Sequence, residues 1–276
     1  MTTPDANFIG RIPDLYDQLL VPMIFQGAAD LLADAVAALA PDDVVETAAG
    51  TGVLTRALVD RLPEARITAT DLNPPMLDRA RQRFSDPSMV QFQQADALAL
   101  PFSDDSFDVV VCQFGVMFFP DRIAGHREAR RVLRPGGHLA FNAWDDVEHN
   151  EIPGVIEAAL FDAVPDPALT FMSRTPHGYF DPDLIRADVE AAGFTTLSLE
   201  PAEGISRTTA EEAALAFCQG TPLCGAITQQ GDMTPEEATS IATKALLTHY
   251  GTGPIEGRIR WYQILATPNN GETPPA

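Results

Sequence analysis

The sequence predicts an α/β fold built on a mostly parallel sheet. From residue 41 to residue 144, short apolar runs alternate with amphipathic stretches, which is the pattern of βαβ units. Hydrophobic residues make up 45% of the chain and charged residues 21%, the balance of a globular protein. The longest apolar run, 109–119, is interrupted by Gln113 and is too short to span a bilayer. We therefore expect a globular domain and no membrane span.

Seven strands and six amphipathic helices are predicted along the chain. The strands are expected at 43–47, 66–71, 89–94, 107–113, 138–144, 194–200 and 258–266. Periodicity and capping residues predict helices at 53–61, 74–84, 122–133, 181–192, 208–219 and 235–250. Ahead of the first strand, residues 12–39 predict a mainly helical arm that bends or breaks near Pro22.

The domain organisation follows from the positions at which the alternation of predicted strands and helices stops. Residues 1–40 form a predicted N-terminal helical arm, and residues 41–266 form the main domain. Four prolines and the lack of a clear strand indicate an insertion at 145–180, and a second, helical insertion is expected at 201–256. Residues 267–276, rich in Pro, Asn and Gly, predict a disordered tail.

The charge distribution argues against a polyanionic partner. Asp and Glu number 39 against 18 Lys and Arg, and residues 145–256 alone carry 19 acids and 4 bases. Such a surface repels nucleic acid; it indicates solubility or a high-salt habitat, with attraction of a cationic substrate as the alternative. The three cysteines cannot all pair, and no signal peptide opens the chain, so a cytoplasmic location is expected.

A turn of small residues between the first strand and the first helix carries the main chemical signal. Gly50 and Gly52 let a ligand approach the backbone closely, and the start of the helix offers free N–H groups. The third glycine of a dinucleotide fingerprint falls at Thr55, so that pattern fails. Glu46, just before the turn, disfavours a pyrophosphate and suits a ligand with a cationic end.

Four further features follow at consistent intervals, and together they resemble a known family. Asp71 ends the second strand, Asp96 follows the third, the fourth strand is FDVVVCQF, and LRPGG follows the next helix. This set resembles the class I S-adenosylmethionine-dependent methyltransferases, most closely the small-molecule group that includes quinone-biosynthesis C-methyltransferases. The resemblance covers about residues 40–144, with further support from Tyr16 and residues 191–194.

The resemblance implies a fold, a cofactor and a reaction. The fold is Rossmann-like, with a mostly parallel seven-stranded sheet, helices on both faces, an antiparallel last strand and helical cap insertions. The cofactor is S-adenosyl-L-methionine, which leaves as S-adenosyl-L-homocysteine. Its methyl group passes by direct in-line displacement to an O, N or C nucleophile of a small molecule, without a metal.

The resemblance also implies which residues hold the cofactor. The methionine end is surrounded by Glu46, Ala48, Gly50 and Gly52. The ribose hydroxyls bind Asp71, the adenine amino group binds Asp96 near the Ala97 N–H, and the adenine faces pack on Leu72 and Met76. The sulfonium lies near Gln113 and Phe114, and Tyr16 is the candidate from the arm. Ala48 stands where the family usually has glycine, and its methyl group is tolerable if φ stays negative.

The acceptor pocket is expected at the rim from which both insertions leave the sheet. With the arm, they should cover the methyl group, and the candidate lining residues are Met117, Phe118, Phe171, His177, Tyr179 and Phe217. His177 and Tyr179 are also the candidates for a general base, if the acceptor needs one. The alternatives are that the aromatic residues belong to the core and that the insertions form a homodimer interface. The five histidines show no ligand spacing, so no metal is expected.

Two other functions remain as alternatives. A regulatory protein that binds S-adenosylmethionine without turnover would share the cofactor residues. An NAD-dependent oxidoreductase is disfavoured by Thr55. The tetrapeptide NPPM at 73–76 follows the second strand rather than the fourth, so methylation of adenine N6 or glutamine is unsupported.

Overall fold

The chain forms two compact units, each assembled from segments that are distant in sequence. The computed structural model describes residues 4–6 and 8–269 of the 276 residues. The first unit contains Met1–Gln26, Trp144–Tyr179 and Glu203–Arg260, and the second contains Gly27–Ala143, Phe180–Ala202 and Trp261–Ala276. The predicted arm is therefore divided, because residues 27–40 belong to the second unit.

The seven predicted strands form one sheet in the order β3-β2-β1-β4-β5-β7-β6. The strands are β1 Asp43–Glu46, β2 Arg66–Asp71, β3 Gln91–Gln94, β4 Phe107–Gln113, β5 Leu133–Trp144, β6 Phe194–Thr209 and β7 Pro254–Pro268. The first five pair in parallel. The β7 strand runs antiparallel to β5, since Thr267 donates to the Gly137 carbonyl and the Asp145 N–H donates to the Arg260 carbonyl. The predicted Rossmann-like sheet is confirmed.

Eleven α-helices accompany the sheet within the described residues. They are α1 Ile12–Leu15, α2 Gln26–Ala37, α3 Val53–Arg61, α4 Pro74–Arg81, α5 Arg122–Val132, α6 Glu151–Ala163, α7 Phe171–Arg174, α8 Pro182–Ala191, α9 Ala210–Gln219, α10 Leu223–Gln230 and α11 Pro235–Tyr250. The α3 helix connects β1 to β2 and α4 connects β2 to β3, so the chain moves toward one edge of the sheet. The α5 helix connects β4 to β5, toward the other edge. Right-handed crossovers therefore put these helices on opposite faces of the sheet.

Several element boundaries differ from the predicted ones for identifiable reasons. The β5 strand starts at Leu133, so the Pro135-Gly136-Gly137 sequence lies inside it as a bulge between the pairs Phe107–Leu133 and Val109–His138. Gly136 has φ +82°, and a Cβ on Gly137 would lie 2.8 Å from the Asp108 carbonyl oxygen. The β6 strand continues to Thr209, nine residues beyond the predicted end. The prediction stopped early because the second half of the strand is polar and its apolar residues alternate only weakly.

The first unit is largely helical, and three of its helices, α6, α7 and α10, were not predicted. The α6 helix contains Pro153 in its first turn, where proline lacks only an N–H that has no helical partner anyway. The α10 helix is short and has no side-chain N-cap. The chain also stays helical across Pro22, inside a π-helical segment at Tyr16–Phe25, so the predicted break is absent.

The ends of the chain and its membrane propensity add three facts. The β7 strand ends two residues beyond the prediction, and most of the predicted tail, 270–276, lies outside the described residues. The helical stretch Ile12–Ala37 is long and apolar enough to cross a membrane by length and composition, and half of its most apolar window is buried. Among residues 4–6 and 8–269, no three His, Cys, Asp or Glu side chains form a metal-binding group.

Candidate functional site

The turn after β1 lies at the point where the sheet order reverses direction, between β1 and β4. The N–H of Thr47 donates to the Val111 carbonyl (2.9 Å), and the N–H of Ala49 donates to the Thr70 carbonyl (2.8 Å). These bonds tie the turn to the ends of both neighbouring strands. Ligands of open parallel sheets bind at such a switch point, beyond the carboxyl ends of the strands.

Both glycines of the turn adopt left-handed conformations, with φ +56° at Gly50 and +79° at Gly52. A Cβ on Gly52 would lie 2.9 Å from the Ala80 Cβ, so this glycine lets α4 approach the turn. At Gly50, a Cβ would meet only Met76 Cε within 4 Å, at 3.7 Å. The turn backbone at Gly50 is therefore open enough for a ligand to approach it.

Ala48 also has a left-handed backbone, with φ +51°, so the condition that φ stays negative there is not met. Its methyl group is accommodated by a glycine elsewhere in the fold. A Cβ on Gly115 would lie 2.5 Å from the Ala48 Cβ and 2.7 Å from Cys112 Sγ. The alanine at position 48 is thus sterically possible because position 115 has no side chain.

Glu46, at the end of β1, is almost completely buried, with 1% of its surface exposed. Its Oε2 accepts a hydrogen bond of 2.5 Å from the Thr55 hydroxyl on α3. Burial raises the pKa of Glu46 to about 8; the Thr55 hydrogen bond opposes this shift, and the negative charge of Asp71 adds to it. Thr55, which breaks the dinucleotide pattern, is therefore the partner of Glu46, a role that sequence reasoning missed.

Asp71, at the end of β2, is also buried and accepts backbone hydrogen bonds with both oxygens. Oδ2 accepts from the Gly50 N–H and Oδ1 from the Asn73 N–H, each at 2.8 Å. Burial raises the pKa of Asp71, while these hydrogen bonds lower it. A carboxylate has about four acceptor positions. Oδ1 also accepts a long hydrogen bond of 3.4 Å from the Asn73 side-chain nitrogen. Oδ2 can thus accept one further hydrogen bond from a ligand hydroxyl, and Oδ1 can accept a second if that long bond is exchanged.

The other residues predicted around the adenine follow β2 and β3 and differ in burial. Met76 is buried and lies against Gly50, whereas Leu72 and Ala97 are partly exposed. Asp96 is exposed and accepts a hydrogen bond of 2.9 Å from the Leu98 N–H through Oδ1. Asp96 thus forms a local turn. Its side chain is exposed, whereas that of Asp71 is buried.

The end of β4 carries the residues predicted near the sulfonium. Gln113 is the last residue of β4 and pairs with Asn142 of β5. Phe114 adopts φ +51°, its N–H donates to the Asn142 carbonyl (3.2 Å), and its ring meets the Trp261 ring edge-on at 6.5 Å. A left-handed backbone is rare for an aromatic residue and is typical of functional turns.

The predicted acceptor-pocket residues are divided between the two units. Met117 and Phe118 belong to the second unit, in the turn after β4. In the first unit, Phe171, Tyr179 and Phe217 are buried, and Tyr16 stacks on Phe25 at 4.8 Å. These positions agree equally with pocket lining and with a hydrophobic core, so both interpretations stay open.

His177 is buried in the first unit, and its Nδ1 lies 2.7 Å from the Asp145 carbonyl oxygen. A carbonyl only accepts hydrogen bonds, so Nδ1 carries the proton and Nε2 carries the lone pair. Burial lowers the pKa of His177 to about 4. The neutral ring can accept a proton through Nε2, but as a weak base.

A cavity of about 930 Å³ lies within the first unit, and sequence reasoning did not find it. Its wall includes Ile9, Arg11, Ile12 and Leu15 at the amino end of the chain and Gln219 and Thr228 from α9 and α10. None of the predicted acceptor residues lines this cavity. No sequence motif marks it, because its wall comes from three distant segments.

The segment that contains the turn after β1 is similar to known proteins. Residues 45–141 match the family model Methyltransf_11, described as a methyltransferase domain. The sheet order, the switch-point turn and this match define a class I methyltransferase fold. Residues 45–141 are similar to a methyltransferase domain, and the resemblance predicted from the motifs is confirmed.

Curated relatives and a solved structure agree with this class. A demethylmenaquinone methyltransferase of Deinococcus radiodurans is 39% identical over 127 residues, which cover 46% of this chain and 53% of that one. The ubiquinone/menaquinone biosynthesis C-methyltransferase UbiE of Paracoccus denitrificans is 38% identical over 133 residues, 45% and 50% of the two chains. The chain thus spans about half the length of these relatives. A structure of a proposed methyltransferase from Bacillus halodurans has a TM-score of 0.58 and 20% identity, over 88% of this chain and 100% of that one, which shows a shared fold.

The first prediction concerns the contact between Ala48 and Gly115. Ala48→Gly should raise the free energy of unfolding by about 1 kcal/mol, because glycine adopts φ +51° without strain. Gly115→Ala should lower it by about 1–3 kcal/mol through overpacking. In urea unfolding, the double variant should be more stable than the sum of the two single effects predicts, because Ala48→Gly removes the methyl group that the new Cβ would meet. Strictly additive effects would contradict the contact.

The second prediction concerns the hydrogen bond between Thr55 and Glu46. Thr55→Val should raise the pKa of Glu46 above its value of about 8 and destabilise the fold by about 1–3 kcal/mol, because valine cannot donate. Carbon-13 NMR titration and urea unfolding measure the two effects. Thr51→Val is the matched control, because the buried Thr51 hydroxyl has no hydrogen-bond partner among the described residues. Equal destabilisation by both variants would contradict the assignment.

Proposed function

We propose that the protein transfers a methyl group from S-adenosyl-L-methionine to a small-molecule acceptor. The observation that carries the proposal is the pair of buried carboxylates, Glu46 and Asp71, on either side of a left-handed glycine turn at the sheet switch point. The match of residues 45–141 to a methyltransferase domain supports it. Bound there, the cofactor would supply a methyl group already activated by its sulfonium.

The donor and acceptor chemistry of this edge suits the cofactor part by part. Asp71 offers the two ribose hydroxyls Oδ2 and, in exchange for its long bond from the Asn73 side chain, Oδ1, and the charge-assisted bonds it forms are strong. Ionised Glu46 suits the ammonium group of the methionine end, beside the backbone of Ala48, Gly50 and Gly52. We place the adenine between Leu72 and Met76, with Asp96 and the Ala97 N–H at its polar edge. Gln113 and Phe114 would then flank the sulfonium, and Tyr16 stays a candidate contact.

The names of the relatives support a quinol-like aromatic acceptor. Two matched relatives are named for methylation in menaquinone or ubiquinone biosynthesis. We propose that this chain acts on an acceptor of that chemical kind, in the cytoplasm. If the acceptor needs a base, Nε2 of His177 and the Tyr179 hydroxyl are the candidates, and the lowered pKa of His177 makes it effective only toward an acidic proton.

Binding of the cofactor without turnover is the second candidate function. The left-handed Ala48 places a methyl group on the turn proposed to hold the methionine end. This methyl group narrows the space for the methionine end and favours a cofactor position that is displaced from the one needed for transfer. A panel of phenols, quinols, amines and thiols with isotopically labelled cofactor separates the two functions. Transfer of label to any acceptor supports the methyltransferase; binding without transfer across the panel supports the alternative.

The third prediction tests the assignment of Asp71 to the ribose. Asp71→Ala should weaken binding of S-adenosylhomocysteine by about tenfold to a hundredfold, because hydrogen bonds to a charged acceptor contribute about 1.5–3 kcal/mol. Isothermal titration calorimetry on chelator-treated protein measures the loss. Asp60→Ala, on the exposed part of α3, should leave the affinity unchanged. Unaltered binding by Asp71→Ala would exclude this ribose contact.

The fourth prediction concerns pH and follows from the raised pKa of Glu46. Below its pKa of about 8 the carboxyl is protonated, so binding a cationic group has to release that proton. The affinity for S-adenosylmethionine should therefore rise from about pH 6 to about pH 8 and then stop rising. Glu46→Gln should bind more weakly and lose most of this dependence. An identical pH profile in that variant would refute the role of Glu46.

A further inference from the structure

Asn142 is a buried polar residue that the proposed cofactor site leaves unexplained. It lies near the end of β5 with no exposed surface. Its side-chain nitrogen donates to the Ala28 carbonyl over a long 3.4 Å, and its Oδ1 has no hydrogen-bond partner among the residues that the structure describes. A buried acceptor without a donor reduces stability, so its retention calls for a functional reason.

The strand register places the Asn142 side chain on the same face of the sheet as Glu46. Glu46 pairs with Val111, Val111 pairs with Ala140, and Gln113 pairs with Asn142, two residues further along β4 and β5. Side chains alternate along a strand, so Glu46, Gln113 and Asn142 share one face. The intervening Phe141 points to the opposite face, where its ring lies 5.2 Å from the ring of His126.

The order of the strands then indicates what Asn142 binds. Along the carboxyl edge, β3, β2, β1 and β4 carry the residues proposed for adenine, ribose, methionine and sulfonium, and β5 is the next strand. Neighbouring strands lie about 4.8 Å apart. Asn142 therefore lies one strand beyond the proposed sulfonium position, on the side away from the ribose. In the proposed binding mode, the acceptor would approach the methyl group from this side.

We propose that Asn142 Oδ1 accepts a hydrogen bond from a hydroxyl or amino group of the methyl acceptor. The inference rests on the proposed function and narrows its substrate class. A carbonyl oxygen cannot donate, so an acceptor whose polar groups are only ethers or ketones leaves Oδ1 unsatisfied and is rejected. Asn142 is as deeply buried as Glu46 and Asp71, so a hydrogen bond to its Oδ1 would be shielded from bulk water.

Two matched leucine variants separate this role from a structural one. Asn142→Leu and His126→Leu each remove a buried polar atom without a partner, on opposite faces of the sheet next to the same strand. Both should raise the urea midpoint of the ligand-free protein, and both should bind S-adenosylhomocysteine within about twofold of wild type. Only Asn142→Leu should change acceptor recognition. Asn142→Ala serves in its place if leucine prevents folding.

Acceptor recognition is measured as binding, so that it does not depend on turnover. The probes are 1,4-naphthalenediol and catechol, each compared with its dimethyl ether, titrated into protein saturated with S-adenosylhomocysteine. Wild type and His126→Leu should prefer the hydroxyl compounds by about threefold to tenfold, the contribution of one neutral hydrogen bond. Asn142→Leu should lose this preference, and Asn142→Asp, which keeps an acceptor oxygen, should retain it.

The outcomes distinguish failure of the inference from failure of the proposed function. If Asn142→Leu keeps the preference, or wild type has none, the inference is wrong, whether or not methyl transfer occurs. If the preference depends on Asn142 but no acceptor is ever methylated, the binding inference holds and the methyltransferase proposal fails. A loss of S-adenosylhomocysteine affinity in Asn142→Leu alone would reassign the residue to the cofactor and overturn the inference.

Discussion

The burial of two carboxylates at neighbouring strand ends is the constraint on which the candidate site depends. Glu46 and Asp71 lose most of their hydration, and each negative charge raises the cost of the other. The fold offsets this cost with donors from three directions: the Thr55 hydroxyl, the Gly50 N–H and the Asn73 N–H. The turn between β1 and α3 supplies one of these donors, the Gly50 N–H, so its shape contributes directly to the burial of Asp71.

The same constraint explains the unusual backbone conformations around the turn. The Gly50 N–H reaches Asp71 because the chain reverses direction tightly after β1. The left-handed conformations at positions 48, 50 and 52 produce this reversal. Two of these positions are glycine. The third is Ala48, whose methyl group fits only because Gly115, on the loop after β4, has no side chain. A family motif can thus lose a glycine without losing its turn.

The residues near the proposed methyl group differ in kind from those proposed to hold the cofactor. Apart from Tyr16, the proposed cofactor residues belong to one continuous segment and meet at one sheet edge, because parallel strands bring their carboxyl ends together. The candidate acceptor residues come from both units and from segments that are distant in sequence. Acceptor chemistry is accordingly harder to assign, and Asn142 is informative because strand register alone relates it to the cofactor residues.

The sequence by itself determined the sheet, the turn and the order of the residues proposed to bind the cofactor. Short apolar runs mark β1, β2 and β4 almost to the residue, because each is a short strand buried on both faces and bounded by polar turns. The extension of β6, the helices α6 and α10, the cavity of the first unit and the positive φ of Ala48 were decided by the tertiary structure. So were the bond from Thr55 to Glu46 and the unsatisfied oxygen of Asn142. These features depend on which distant atoms come into contact, and local propensity and spacing carry no information about such contacts.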